Sequence, residues 1–402
     1  MASWLGILTR RAFQWPLVVC LCNVIGSELS EPSFIRTVFV EYNDDDSQGH
    51  FEFGHALGEA MGDVIHDAWA SDTQLQNMED WIKTQEGRRI FDNLVSNSTR
   101  AFPLYSKEIE GMAAGAKIPL QRLLVNQLRE ELSQWVDAEQ KLRRAGHCTD
   151  AYAVGPEGTA AWGHNDDWNV YWRKQTYFVI ATALDAGGNV KFKFGSWGYP
   201  GYLVGMQLNW NSFGLAWTCN SLFPTVFSES GVGTAWVARH MAEARSVEDL
   251  VRRAADKRVS TAMNYNIGSV RNKTLWNLEV DTGGVHALQR ITTPYVHTNQ
   301  FKLLNVSQFA EESSAHRQAR WEELRPTDVS GLRSFLSDRT DEQWPVWRNG
   351  TRGDDCFTEV TGIFDLQRQT LSVWTSPAAA RAPEMELSLN FPRLPFVEEL
   401  FV

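Results

Sequence analysis

A cysteine in the stretch Ala145-Gly146-His147-Cys148-Thr149-Asp150 is the residue in this chain best suited to nucleophilic chemistry. A thiolate attacks carbonyl carbon, but an ordinary cysteine ionises near pKa ~8.5 and needs a base or a positive neighbour. His147 is the nearest base in sequence. Adjacent residues on a strand point to opposite faces, so His147 is poorly placed to serve Cys148. Cutting the His147–Cys148 bond supplies another base, the new α-amine of Cys148, whose ordinary pKa is about 7.7–8.0. One residue then provides both nucleophile and general base. The competing reading is a buried structural cysteine, and position and residue type alone favour it.

Asp167 follows nineteen residues on (167 − 148), in the run Gly163-His164-Asn165-Asp166-Asp167-Trp168. A carboxylate there can hold an α-ammonium by a hydrogen bond and tune its pKa. Read by itself, the run is a turn. Asn220 ends a β-like run, Leu215-Ala216-Trp217-Thr218-Cys219-Asn220-Ser221, and Asn264 sits in Thr261-Ala262-Met263-Asn264-Tyr265-Asn266. Amide donors at strand ends can stabilise a tetrahedral oxyanion, one donor being worth roughly 10²–10³ in rate. Taken singly, each is a strand-end cap. Arg317, in Ser313-Ser314-Ala315-His316-Arg317, reads by itself as an exposed residue at a helix start.

Two textures of sequence must position these residues. Residues 36–41 alternate and are rich in Val and Phe, a short strand, and 43–49 read as a polar loop. From Phe51 to about Trp135 the pattern is helical. Leu57, Met61 and Ile65 recur at intervals of four; Trp81, Ile82, Ile90 and Leu94, then Ile109, Met112 and Ala113, then Leu123, Leu124, Leu128 and Leu132 mark further helices. Residues 134–144 are charged and read as a linker. After Cys148 the chain is β-rich over 151–154, 159–162, 175–184, 190–194 and 213–219, with a tight turn region over 196–205. Helices are expected over 234–244 and 247–257, the second with Ser246 and Asp249 as a capping box. Strands over 264–270, 275–280 and 286–289 follow, then helices over 315–324 and 329–336, and strands over 357–364 and 370–375. This order suits an α+β layered fold with antiparallel sheets.

Composition narrows the classes. The 402 residues suffice for one large domain or two ordinary ones, and 43% apolar with 22% charged residues is globular. A net charge of −11, a pI near 5.4 and the lack of a long Lys/Arg cluster argue against nucleic acid. The cysteines are Cys20, Cys22, Cys148, Cys219 and Cys356, with no CxxC pair and no Cys/His set at zinc spacing, so no metal or cofactor is expected. Arg10 and Arg11 precede an apolar run over 16–25, with Gly26-Ser27 beyond it. Residues 1–27 therefore read as a signal for the secretory pathway or lysosome. An organellar transit peptide, or a cytoplasmic chain with an unaddressed tail, is the alternative. Sequons at Asn97, Asn272, Asn305 and Asn349 fit a glycoprotein. No other stretch is apolar and long enough for a membrane helix. Losing Cys20 and Cys22 with a signal leaves an odd count, hence at least one free thiol.

The order and spacing of these parts resemble the cysteine N-terminal-nucleophile (Ntn) hydrolases, in the peptidase C45 branch of isopenicillin N acyltransferase and the β-alanyl-dopamine (carcinine) hydrolases. The resemblance runs from about Gly54 to the end. Gly54-His55-Ala56-Leu57-Gly58 looks like the early G-x-x-x-G helix, and residues 105–132, with Glu108-Ile109-Glu110-Gly111-Met112-Ala113, look like the helical pro-region. Cys148-Thr149 looks like the N-terminus made by self-cleavage. Asn165-Asp166-Asp167-Trp168 looks like the N-x-D-W turn, and Gly205-Met206-Gln207-Leu208-Asn209 through Asn220 like the family hairpin. His297-Thr298-Asn299 looks like the H-x-N motif. His147 departs from the Gly that the best-known members carry, and a bulkier residue there crowds the acyl shift.

The resemblance implies an αββα sandwich. It implies a pro-region over 28–147 and a catalytic part over 148–402 that stay associated as one folded unit after self-cleavage. It makes Cys148 nucleophile and base, Asp167 the residue orienting its amine, Asn220 and Asn264 the oxyanion or nucleophile-binding amides, and Arg317 a residue orienting Asp167 or the substrate. The reaction implied is hydrolysis of a small N-acyl amide, or acyl transfer to an amine, with a β-alanyl conjugate of a biogenic amine as best substrate guess. The rival readings are an uncleaved member that binds an acylated small molecule without turnover, a papain-like Cys-His protease, and a secreted structural domain.

Overall fold

The first third of the chain wraps helices onto a short strand near its start. A computed structural model describes residues 20–21, 35–140, 148–155, 158–350 and 356–391. His147, with the rest of 141–147, and most of the 1–27 segment lie outside the described residues. The described lead comprises β1 (Cys20–Leu21), β2 (Thr37–Asn43), α1 (Ser47–Ala70), α2 (Thr73–Trp81), α3 (Gln85–Ala101), α4 (Pro103–Ala116), α5 (Leu120–Gln127) and α6 (Arg129–Gln140).

Four expectations for this part change. The single helix expected through Trp81, Ile82, Ile90 and Leu94 is two, α2 ending at Trp81 and α3 starting at Gln85, where the Thr84 hydroxyl caps it by accepting from the Gly87 amide at 3.0 Å. The 43–49 loop is shorter, because Asp46 caps α1 by accepting from the Gly49 amide at 2.7 Å. The single helix expected over 123–132 is α5 followed by α6, broken at Leu128. The linker expected from 134 is helical to 140, because Leu128, Leu132 and Val136 keep the four-residue apolar spacing and are all buried. Helices α1 and α4 cross at backbone contact. A Cβ on Gly54 would stand 1.8 Å from the Glu108 carbonyl oxygen, and one on Gly111 would stand 2.0 Å from that of Phe51.

Beyond Cys148 come β3 (Thr149–Val154), β4 (Ala160–Asn169), β5 (Tyr177–Leu184), β6 (Val190–Gly198), β7 (Gln207–Asn211) and β8 (Leu215–Ser221). Then follow α7 (Thr234–Met241), α8 (Val247–Ala254), β9 (Met263–Ser269), β10 (Thr274–Val280), β11 (His286–Ile291) and β12 (Tyr295–His297). The chain closes with α9 (Glu312–Leu324), α10 (Val329–Leu336), β13 (Cys356–Asp365), β14 (Thr370–Trp374) and β15 (Met385–Ser388). The short strands β12 and β15 lie at the two edges of one sheet. With 3 and 4 residues, neither is long enough to show a period of two in sequence.

The strands form a large sheet in the order β1-β2-β5-β6-β7-β8-β9-β10-β11 and a smaller one in the order β12-β3-β4-β13-β14-β15. Pairing is antiparallel except between β2 and β5, which run parallel from Thr37↔Phe178 to Asn43↔Leu184. The sheets face each other: the Trp162 ring of β4 lies against Gly268 of β9, and Tyr152 on β3 donates to Asn266 on β9 at 2.7 Å. The smaller sheet is covered outside by α9 and α10, through Trp321, Leu332, Phe335 and Leu336 against Ala151, Ala161 and Ile363. The larger sheet is covered by helices of the lead and by α7, where Phe53 of α1 meets Phe194 of β6. Each such side chain taken from water contributes about 1.5–3 kcal/mol. The layers are helix, sheet, sheet, helix, as expected, and Cys148 stands at the mouth of β3.

Candidate active site

Cys148 immediately precedes β3 and is 2% exposed. Strands β3 and β4 pair with Thr149 opposite Asn165 and Asp150 opposite His164. Strand alternation then sorts the residues. Cys148, Asp150, His164 and Asp166 face the gap between the sheets. Thr149, Asn165 and Asp167 face the layer of α9 and α10.

On the inner face, the Cys148 Sγ lies 3.7 Å from Asp166 Oδ1 and 3.6 Å from Gln207 Nε2. The Gln207 side chain is itself fixed to the Cys219 backbone, donating to its carbonyl at 2.9 Å and accepting from its amide at 3.1 Å. The main-chain amide of Asp167 also donates toward the sulfur. Burial pushes the Cys148 thiol well up, and the carboxylates of Asp166 and Asp167 push the same way. The resting group is therefore a thiol, and it needs a base to react. Asp166 Oδ1 accepts from Tyr199 at 2.7 Å, and burial raises its pKa to about 6 against the pull of His164 and Tyr199.

Beside this pair runs a polar chain across both sheets. Asp150 accepts from Thr218 at 2.6 Å, from His164 Nδ1 at 2.7 Å and from Asn220 Nδ2 at 2.8 Å. Because Asn220 must turn its Nδ2 to the carboxylate, its Oδ1 faces β9. There it accepts from Asn264 at 2.7 Å and from Asn266 at 2.8 Å. Asn264 also donates to Asn266 at 3.2 Å, so both of its amide hydrogens are used. Asn220 has one amide hydrogen beyond its bond to Asp150.

On the outer face, Arg317 is wholly buried rather than exposed, because its position on α9 faces the sheet. Its Nη1 donates to the Cys148 carbonyl at 2.6 Å and to the Thr149 hydroxyl at 2.8 Å, and its Nη2 donates to Asn299 Oδ1 at 2.9 Å. Glu311, 3.4 Å away, supplies the countercharge. Asp167 Oδ1 accepts from Thr358 at 2.5 Å, and Arg348 Nε stands 3.8 Å from Oδ2. Burial raises the Asp167 pKa to about 7, with Arg348 and then Arg317 pulling it down.

The structure thus joins Cys148 with Arg317, and Asn220 with Asn264. The Asp167 carboxylate makes no hydrogen bond to the thiol and lies behind the Cys148 main chain. Asp150, His164, Asp166, Tyr199 and Gln207 escaped the sequence reading. A period of two groups Cys148 with Asp150 and His164 with Asp166, but only the pairing of β3 with β4 puts the two pairs on one face; nothing in sequence marks Tyr199, and Gln207 is marked only by its place in the hairpin motif. Cys148 and Cys219 carry free thiols. One donor atom each from Cys148, His164 and Asp166 lie within 4.8 Å of one another, close enough for a cation. Of the three, His164 is bonded to Asp150 and Asp166 to Tyr199.

The four layers are those of an Ntn-hydrolase fold, with a cysteine opening an inner strand. The family model of acyl-coenzyme A:6-aminopenicillanic acid acyl-transferase matches residues 154–377, more than half of the chain, and the chain belongs to that family. It is similar to the β-alanyl-dopamine/carcinine hydrolase of Drosophila melanogaster, 23% identical over 365 residues that cover 85% of this chain and 94% of that one. Among solved structures it is similar to the N-acylethanolamine-hydrolyzing acid amidase ortholog of Caenorhabditis elegans. That match has a TM-score of 0.38 and 11% identity, covering 55% of this chain and 93% of that one. The chain is an enzyme, an amide hydrolase or acyltransferase. Among the described residues no helix is long and apolar enough to cross a membrane.

Proposed function

We propose that the chain cuts itself between His147 and Cys148 and then hydrolyses small N-acyl amides, or transfers their acyl group, with Cys148 as its N-terminal nucleophile. The observation that carries this reading is the setting of Cys148: a buried thiol opening β3, with donors from Gln207 and the Asp167 amide on its sulfur and Arg317 on its carbonyl. In turnover the freed α-amine takes the thiol proton, and the thiolate attacks the substrate carbonyl. The spare amide hydrogen of Asn220 meets the oxyanion, with Asn264 holding Asn220 in place. Asp167, behind the main chain, orients the amine and favours its ammonium form. Arg317 fixes the Cys148 backbone rather than the substrate.

The substrate is a small acyl amide of an amine, with a β-alanyl conjugate first in line. The activity named for the fly relative supports this choice. A secretory or lysosomal route is supported by the exposed sequon residues Asn272 and Asn305. Intact mass with N-terminal sequencing, beside amine release from β-alanyl amides, tests the whole reading. Two fragments, the larger starting at Cys148, and loss of hydrolysis in Cys148→Ala are expected. A single uncut chain whose Cys148→Ala form still hydrolyses would overturn it.

A further inference from the structure

Cleavage before Cys148 cannot use the base that the finished enzyme has. Until that bond breaks, the Cys148 nitrogen is a peptide nitrogen whose lone pair is delocalised into the carbonyl. The first attack by sulfur needs a different base, and the inner face holds one. His164 and Asp150 are wholly buried and directly opposite in register. Asp150 Oδ2 accepts a hydrogen bond from the imidazole Nδ1–H at 2.7 Å, and Thr218 and Asn220 are the other donors to the carboxylate. In the neutral ring that leaves the lone pair on Nε2, and against its burial the carboxylates of Asp150, Asp166 and Asp167 raise the affinity of the ring for a proton. Nε2 has no hydrogen-bond partner, although it is buried. A buried polar nitrogen without a partner is a rarity that asks for a reason. A ring nitrogen of His164 lies within 4.8 Å of both Cys148 Sγ and an Asp166 oxygen, and Nε2 is the one left open to them.

We propose that His164, positioned by Asp150, is the general base and acid that serves Cys148 before its own α-amine exists. This rests on reading Cys148 as the nucleophile. His164 Nε2 takes the Sγ proton, and sulfur bonds to the carbonyl carbon before it while the carbonyl oxygen takes the electron pair. Collapse breaks the C–N bond, and the imidazolium returns its proton to the departing Cys148 nitrogen. A thioester and a primary amine result. Water then bonds to the carbon as the C–S bond breaks, giving a carboxylate, a free thiol and one released proton. His164 is a catalytic residue in this step and Asp150 a positioning residue. The separation from sulfur is longer than a hydrogen bond, as is common before a reacting group is seated.

The test follows two readouts in freshly purified full-length chains: the rate at which the fragment starting at Cys148 appears, and the pH profile of Cys148 alkylation by iodoacetamide in uncut chain. The titratable groups on the face of His164 are Asp150, Asp166 and Cys148, and Asp167 acts on it from the other face of β4, so Asp166→Asn is run beside His164→Gln and Asp150→Asn. His164→Gln is expected to slow cleavage by ~10²-fold or more and to move the alkylation profile to higher pH. Asp150→Asn should move both the same way and by less. Cys219, buried and hydrogen-bonded to the Met206 carbonyl, should stay unalkylated and so report an intact fold. Cleavage and alkylation within twofold of wild type in His164→Gln would overturn the proposal. So would loss of both in Asp166→Asn alone. Should His164→Gln fail to fold, an unchanged alkylation profile in Asp150→Asn overturns it. A wild-type chain that is never cut removes the self-processing reading, while the alkylation profiles still decide the role of His164.

Discussion

At the scale of single residues, the two asparagines expected to act alike are set apart by counting hydrogens. Asn264 spends both amide hydrogens on Asn220 and Asn266, whereas Asn220 keeps one beyond Asp150. Asn220→Ala is therefore expected to lower kcat by ~10²–10³ with little change in KM. Asn264→Ala should cost less in kcat, because it only loosens a neighbour. Steady-state kinetics on the cut enzyme checks this, and equal losses would place Asn264 at the oxyanion too. Cys148, Asn220 and Arg317 were singled out because their types and order match a family pattern, and the structure places Arg317 on the Cys148 carbonyl. Asp166 and His164 were quoted in that pattern but given no role, since the motif points at Asp167. Only the pairing of β3 with β4 reveals that Asp166, not Asp167, shares a face with the thiol. Gln207 was illegible for another reason. Its value depends on the Cys219 backbone, twelve residues along and on the next strand.

At the scale of elements, the periodic segments were read well and their ends were not. Helix and strand existence follows from apolar spacing, which is local. Where α6 ends, or where Asp46 caps α1, is settled by packing and by one hydrogen bond. The contact of α1 with α4 was not read from the sequence. Gly54–Gly58 was noted only as a family motif, and the carbonyls its glycines approach, of Glu108 and Met112, lie more than fifty residues on. That contact yields a prediction. A methyl at Gly54 would overlap the Glu108 carbonyl, which is backbone and cannot rotate away, so the helices must separate. Gly54→Ala is expected to destabilise the fold by about 1–3 kcal/mol despite the better helix propensity of alanine. Gly62→Ala, whose nearest neighbour is 3.5 Å away, should be neutral or stabilising. Urea unfolding of the pair measures the difference, and similar midpoints would show that the helices give way easily.

At the scale of the whole molecule, the buried charges set both the pH response and the union of the two parts. The carboxyls of Asp166, Asp167 and Glu130 are raised to about 6, 7 and 7, so the fold holds their protons more tightly than the open chain does. Their contribution turns unfavourable as pH rises from about 4 through 7. His50, raised to about 9 by Asp44 and Glu108 against its burial, stabilises fully below the unfolded value and loses this as pH rises through 9. Asp44, lowered to about 2, stabilises above its unfolded value and loses this as pH falls toward 2. All three signs place the highest Tm between about pH 4 and 6, and thermal melts from pH 3 to 9 should find it there. Glu108 and His50 belong to the lead, and they meet Arg239 of α7 at the centre of this cluster. Glu108 grips Arg239 at 2.8 and 2.9 Å, and Tyr42 of β2 accepts from it at 2.8 Å. Strand β2 is also hydrogen-bonded into the large sheet beside β5, and Glu131 of α6 accepts from Ser260 and from the Thr234 amide. A cut before Cys148 severs none of these. The two chains should co-elute on size exclusion and part only in denaturant. Glu108→Ala leaves Arg239 buried without its main countercharge, a loss of about 3–5 kcal/mol. That variant should shed its small chain once cut, or fail to fold before cutting. Co-elution at wild-type stability in the Glu108→Ala protein would show that the sheet pairing alone holds the chains together.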